Sequence, residues 1–119
     1  MTQPARQAAL DDLRRLSPEI QSAVLLGADG EILALSATRG AADAIAPIMA
    51  TLSGLASRAA QELGRGAFRT VVVEGAQGLV VGQDLGDGSV VAAVASRPAR
   101  PGLLIDDVRA CAARLAPGA

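Results

Sequence analysis

The sequence predicts an α+β domain in the order αββαβββα: a five-stranded antiparallel sheet with a long helix on one face and the terminal helices on the other. Three observations carry this expectation. Apolar residues recur at helical spacing near both ends of the chain and in its middle. Short apolar runs rich in Val, Ile and Leu lie between those segments. The turns that join neighbouring runs are short and built on Gly, which pairs consecutive strands antiparallel. Residues 1–119 are read as one domain, long enough to bury a single core but not two.

The first helix opens with Pro4 at a favourable early position, and Ala9, Leu13 and Leu16 follow at helical spacing. Asp11 and Arg15 lie four apart on its wet side. Ser17-Pro18 ends it, because the residue before proline is pushed towards extended geometry. Two strands follow, Ile20 to Leu26 and Glu31 to Ser36, around Gly27-Ala28-Asp29-Gly30. Two glycines in an apolar run raise the question of a phosphate-binding loop. A Walker loop needs a lysine, and this chain has none; a dinucleotide loop needs a helix directly after it, and here a strand follows. Asp-Gly between apolar runs is instead a hairpin turn.

The long helix runs from about Ala44 to Leu63, with Asp43 near its start, Pro47 expected in its first turn and Gly64-Arg65-Gly66 as its stop. Ile45, Met49, Leu52, Ala56, Ala59 and Leu63 form one apolar stripe, widened by Ile48 and Leu55. Ala46, Ala50, Ser53, Ser57 and Ala60 form a second stripe of small residues. Thr51, Gly54, Arg58, Gln61 and Glu62 make the more polar side, which carries few charges for a lone surface helix. Two readings follow: a helix well buried in one domain, or a small stripe that meets the same helix of a second copy.

Three more strands are expected at Arg69 to Glu74, Gly78 to Asp84 and Ser89 to Ala95, joined through Gly75-Ala76-Gln77 and Gly86-Asp87-Gly88. Val71-Val72-Val73 and Val90 to Val94 are apolar at consecutive positions, as in a sheet covered on both faces. Thr70 to Val73 would invite pairing with another chain if it formed an exposed edge. A symmetric dimer joining these strands, with the long helices side by side, would satisfy both elements. The expected dimer interface is therefore Ala46, Met49, Ala50, Ser53, Ser57 and Ala60 with Thr70, Val71, Val72 and Val73. After Arg97 to Gly102, the last helix places Leu104, Val108, Cys111 and Leu115 on one stripe and ends at Pro117-Gly118. Cys111 reads as a small core residue, since a reactive thiolate needs exposure and a nearby cation.

Composition narrows function. The formal net charge is −1, which gives no field for a nucleic-acid backbone. The chain has no His, one Cys, one Phe and neither Trp nor Tyr. The usual general base, a closed Cys/His zinc site and an aromatic stacking platform are thus all missing. Asp, Glu, Ser and Thr remain for chemistry, and no motif such as G-x-S-x-G organises them. No enzyme activity, cofactor or metal is expected. No run nears the roughly 18 apolar residues of a membrane span, and M-T-Q-P-A-R-Q does not read as a signal peptide, so a cytoplasmic location is expected.

In this order and spacing, A-V-L-L-G-A-D-G-E-I-L-A, T-L-S-G-L-A-S-R-A-A-Q-E-L-G, R-T-V-V-V-E and G-D-G-S-V-V-A-A-V resemble the Roadblock/dynein light chain family. The match runs from about Ala8 to Leu115 and is nearest to the family's bacterial, MglB-like branch, in its small stand-alone kind. The resemblance implies a homodimer in which the third strands join into one sheet and the long helices pair. It implies a small Ras-like GTPase as partner, with a sensor histidine kinase as a further one, and a role as regulator or scaffold without catalysis of its own. It brings no catalytic motif to carry over. An arginine supplied in trans can accelerate GTP hydrolysis. Arg39, Arg58, Arg65 and Arg69 lie near the long helix, and Arg58 is the candidate, read either as a solvated side chain or as a partner contact. A small-molecule-sensing module with an apolar pocket is the alternative function.

Overall fold

The computed structural model describes residues 1–37, 42–97 and 99–117. Its elements are α1 (Gln3–Leu16), β1 (Ile20–Leu26), β2 (Ile32–Ala37), α2 (Ala42–Glu62), β3 (Thr70–Gly75), β4 (Gly78–Asp84), β5 (Val90–Ser96) and α3 (Pro101–Leu115). The order and type of every element agree with the reading from sequence. The strands form one sheet in the order β2-β1-β5-β4-β3, and every neighbouring pair is antiparallel. Three of these pairings are local hairpins. The fourth, β1 with β5, sets Ala23 beside Ala93 and Val24 beside Ala92, and closes the sheet around two apolar central strands.

Local chemistry explains the boundaries. The Thr2 hydroxyl accepts from the Ala5 amide at 3.2 Å, capping α1 just before Pro4. At the β1–β2 turn the Gly27 amide donates to Glu31 at 2.8 Å, and Gly30 takes φ +85, a conformation that favours glycine. The turn is a hairpin, as expected. At the end of α2, Gly64 adopts φ +69, while the amides of Gly64 and Arg65 donate to the carbonyls of Gln61 and Ala60. That is the Schellman stop the Gly-Arg-Gly run suggested. One detail differs from expectation. Because α2 starts at Ala42, Pro47 lies beyond the first turn, and it leaves the Asp43 carbonyl without its helical donor. Asp11 and Arg15 are both exposed, as expected; Asp11 faces Gln7 and Ser36, and Arg15 pairs with Asp12.

Alternation along the strands divides the core into two layers. On one face, Leu10 and Leu13 of α1 and Leu104 and Val108 of α3 pack on Ala23, Leu25, Val81, Val91 and Ala93. On the other, Ile45 and Met49 of α2 pack on Val24, Leu26, Val90 and Ala92. The long helix thus takes one face and the terminal helices share the other. Cys111 is buried in the first layer, where its thiol lies 3.7 Å from the Ala9 carbonyl, and burial pushes its pKa up to about 11. Ser17 and Arg114 tie α1 to α3 through Asp107 and Asp12. Gly118 lies outside the described residues.

Coverage of the two faces is unequal. Ile45 and Met49 are the buried residues among the described side chains of α2, and both sit in its first half. Met49 reaches the sheet because Gly82 has no side chain; a Cβ there would collide with the Met49 methyl. Beyond that seat α2 lies over the sheet loosely. Ile48, Leu55 and Leu63 are 55%, 64% and 72% exposed.

Candidate interaction surface and adjoining cavity

The T-V-V-V run does form an edge. β3 ends the sheet, and its outer backbone faces away from β4. Register with β4 places Val71 and Val73 on the α2 face, opposite Gly82 and Val80, and Thr70 and Val72 on the α3 face, opposite Gln83 and Val81. Val72 and Val73 remain 38% and 41% exposed, whereas Thr70 and Val71 are half-buried. The Thr70 hydroxyl donates to Gln83 Oε1 and accepts from Arg109 at 3.2 Å. That chain of bonds ties the start of the strand to α3. At the other end, the Arg97 guanidinium bonds the Ala76 carbonyl at 3.0 Å and the Glu74 carboxylate at 3.1 Å, holding the β3–β4 turn.

On α2 the expected interface divides. Ala50 is exposed, and Ala46, Ser53, Ser57 and Ala60 are half-buried. Met49 is 1% exposed and belongs to the subunit's own core, so it has no surface to offer a second copy. Helical geometry gives the reason: with Met49 turned to the sheet, Ile48 and Leu55 fall roughly 100–120° round the axis. They form an outward apolar flank, whereas the sequence places them as a widening of the Met49 stripe. Leu63, also placed in that stripe, lies just past the last turn and is exposed as well. The width of the stripe of Ile45, Met49, Leu52, Ala56, Ile48 and Leu55 signals that much surface must be buried, without saying what covers it. Arg58, nine residues beyond Met49, points to the opposite side. It is 74% exposed and pairs with Glu62 at 3.1 Å. Arg65 and Arg69 are exposed too, and Arg39 lies outside the described residues.

The small stripe faces a cavity of about 380 Å³ between α2 and the ends of the hairpins. Its walls are Ala50, Ser53, Gly54 and Ser57 of α2, the Gly27–Gly30 turn, Leu26, Met49, Phe68, Asp84, Gly88 and Val90. The structure brings Phe68, Ser53, Ser57 and Asp84 to one hollow, so its largely apolar wall carries a few polar groups. Ser53 and Ser57 come from α2, Phe68 from the α2–β3 connection and Asp84 from the end of β4, so they meet only in the folded chain. Among the described residues, no group of three or more His, Cys, Asp or Glu could hold a metal ion, and no helix is long and apolar enough to cross a membrane.

Two terminal helices lie on one face of this sheet, a loosely seated long helix on the other, and β3 at its margin. The Roadblock/LC7 domain family model matches residues 6–95, and the chain belongs to that family. A Roadblock/LC7 domain from Streptomyces avermitilis superposes with a TM-score of 0.81 at 28% identity, covering 89% of this chain and 90% of that one. MglB from Myxococcus xanthus superposes with a TM-score of 0.84 at 16% identity, over 95% and 86%. MglB in a tetrameric arrangement gives 0.86 at 19% identity, over 95% and 86%. At such identities the two MglB structures share the fold. The sequence matches no curated protein.

Proposed function

We propose that this chain is a dimeric, non-enzymatic regulator or scaffold of a small Ras-like GTPase in bacterial signalling, working in the cytoplasm, with a sensor histidine kinase as a further partner. One observation carries the reading: the open β3 edge lies in the same domain as the uncovered apolar flank of α2. A monomer seldom leaves such a strand and such a flank to water together. Joining β3 to the β3 of a second copy extends the sheet. It also brings α2 beside the partner's α2, which would cover either the small stripe of Ala46, Ala50, Ser53, Ser57 and Ala60 or, on the far flank, Ile48 and Leu55. Membership of the Roadblock/LC7 family and the tetrameric arrangement described for MglB support self-association.

The dimer would then offer two copies of the polar side of α2, with Arg58 at its centre. A GTPase docked there is influenced either by that guanidinium or by ordering of its own switch loops. The test is capture by the tagged protein from its native lysate, in GDP and in a non-hydrolysable GTP analogue, with identification of what is retained. A small GTPase held in one nucleotide state supports a regulator. The same GTPase held in both states together with a kinase supports a scaffold. Recovery of neither sinks the reading.

The cavity favours a second reading, a small-molecule-sensing module. Its volume lies in the range of ligand sites, and its apolar floor carries a few polar groups. A compound that raises the melting temperature at sub-millimolar concentration, and loses that effect in Ser57→Leu, would favour this reading.

A further inference from the structure

The two margins of the sheet are chemically unequal. Thr70 to Gly75 keeps its outer backbone open: among the described residues, no side-chain donor reaches a carbonyl between Val71 and Glu74. The opposite margin, β2, is covered. Gln3 Nε2 donates to the Leu33 carbonyl at 2.7 Å, and Gln7 Nε2 donates to the Leu35 carbonyl at 2.8 Å. Leu33 and Leu35 are two apart on the edge strand, so their carbonyls point the same way, away from β1.

The fit is geometric. Residues four apart on a helix are separated by about 6 Å along its axis. Carbonyls two residues apart on a strand are separated by about 6.6–6.8 Å. A Gln-x-x-x-Gln ridge on α1 therefore matches successive outward carbonyls of β2. The ridge continues into a polar brace. Gln7 also donates to Asp11 at 3.2 Å, Asp11 is hydrogen bonded to the Ser36 hydroxyl, and Arg14 donates to that hydroxyl at 3.0 Å. β2 itself reads I-L-A-L-S-A, without a charge or a proline. Nothing in the strand would repel an identical strand, so its protection comes from α1.

We propose that Gln3 and Gln7 lock the β2 edge against strand pairing with a second copy of this chain, which confines extension of the sheet to the β3 side. Without the lock, β2 pairs antiparallel with β2 of another molecule. If β3 pairs as well, two open margins per molecule generate a ribbon that does not close. The lock does not depend on β3 pairing, and the test keeps the two apart.

The experiment compares the 119-residue chain with Gln3→Ala/Gln7→Ala by sedimentation velocity, from about 5 to 500 µM. Alanine keeps the helix, which far-UV circular dichroism verifies. The expected result is self-association strengthened by roughly tenfold or more, with species larger than any in the parent protein. Gln3→Lys/Gln7→Lys should return the parent's distribution, since lysine can donate to the same carbonyls and adds edge charge. In a Val72→Asp background, the alanine pair should give dimers through β2 alone. An alanine variant with the parent's size distribution overturns the proposal. So does enlarged assembly that the lysine pair fails to suppress.

Discussion

Single residues decide where this fold bends and where it cannot. Gly78 sits at φ +153, and a Cβ there would run into the Ala95 backbone carbonyl. Gly78→Ala should therefore cost about 3 kcal/mol or more, read as a fall in the urea midpoint. Gly54, in the middle of α2, has nothing within 4 Å of the Cβ position. Gly54→Ala should instead stabilise by about 0.5–1 kcal/mol. Both glycines stand in the sequence; only the positions of their neighbours separate them. Cys111 was legible as core. Its pKa is raised from the ordinary 9.0 to about 11, so the folded chain holds the thiol proton more tightly than the unfolded chain does. The resulting stability is complete below the ordinary value and is lost as pH rises through the folded one. Melting curves between those values should slope downward, and Cys111→Ala should flatten the slope. Arg58→Glu places a second carboxylate four residues from Glu62, costing the helix a few tenths of a kcal/mol. If Arg58 touches the GTPase, affinity should fall by about 1–3 kcal/mol in a direct binding titration while the dimer persists.

At the scale of elements, hydrophobic period and turn chemistry were enough to place the three helices and five strands of the described residues. They also separated strand from helix around Gly27 and Gly30, because the turn residues themselves state the geometry. The division of α2 into an inward and an outward flank was not legible. A wide apolar stripe states that much surface must be buried, but not how much of it the sheet of the same chain covers. The rotation of the helix is set by Ile45 and Met49 on the sheet, with Met49 seated over Gly82. Val72→Asp tests the edge at this scale. The residue is 38% exposed, so the isolated fold should lose only about 1 kcal/mol. A symmetric β3 pair would meet two like charges across the join, and self-association should weaken by about 2–4 kcal/mol. Full retention of the oligomer by sedimentation would remove β3 from the interface.

For the whole molecule, the cavity shows what sequence reading cannot reach. Phe68, Asp84 and Ser57 belong to different elements, and no local pattern announces that they share a wall. Their meeting depends on how α2 lies across the sheet beside the end of β4. A fold that completes itself by association should also melt in a concentration-dependent way. The melting temperature should rise by about 5 °C between about 5 and 500 µM. A constant value would mark a self-sufficient monomer and count against the dimer.

The seat of Met49 over Gly82 has one more consequence. A helix with its buried side chains in its first half and only partly covered along its second does not open as one unit, because local opening is cheapest where the fewest apolar contacts break. Amide protons from Leu55 to Glu62 should therefore exchange with deuterated solvent well before those around Met49, even though all belong to one continuous helix. A partner that settles on the outward flank would be recorded in the same measurement, as late protection arriving in the second half of α2 alone.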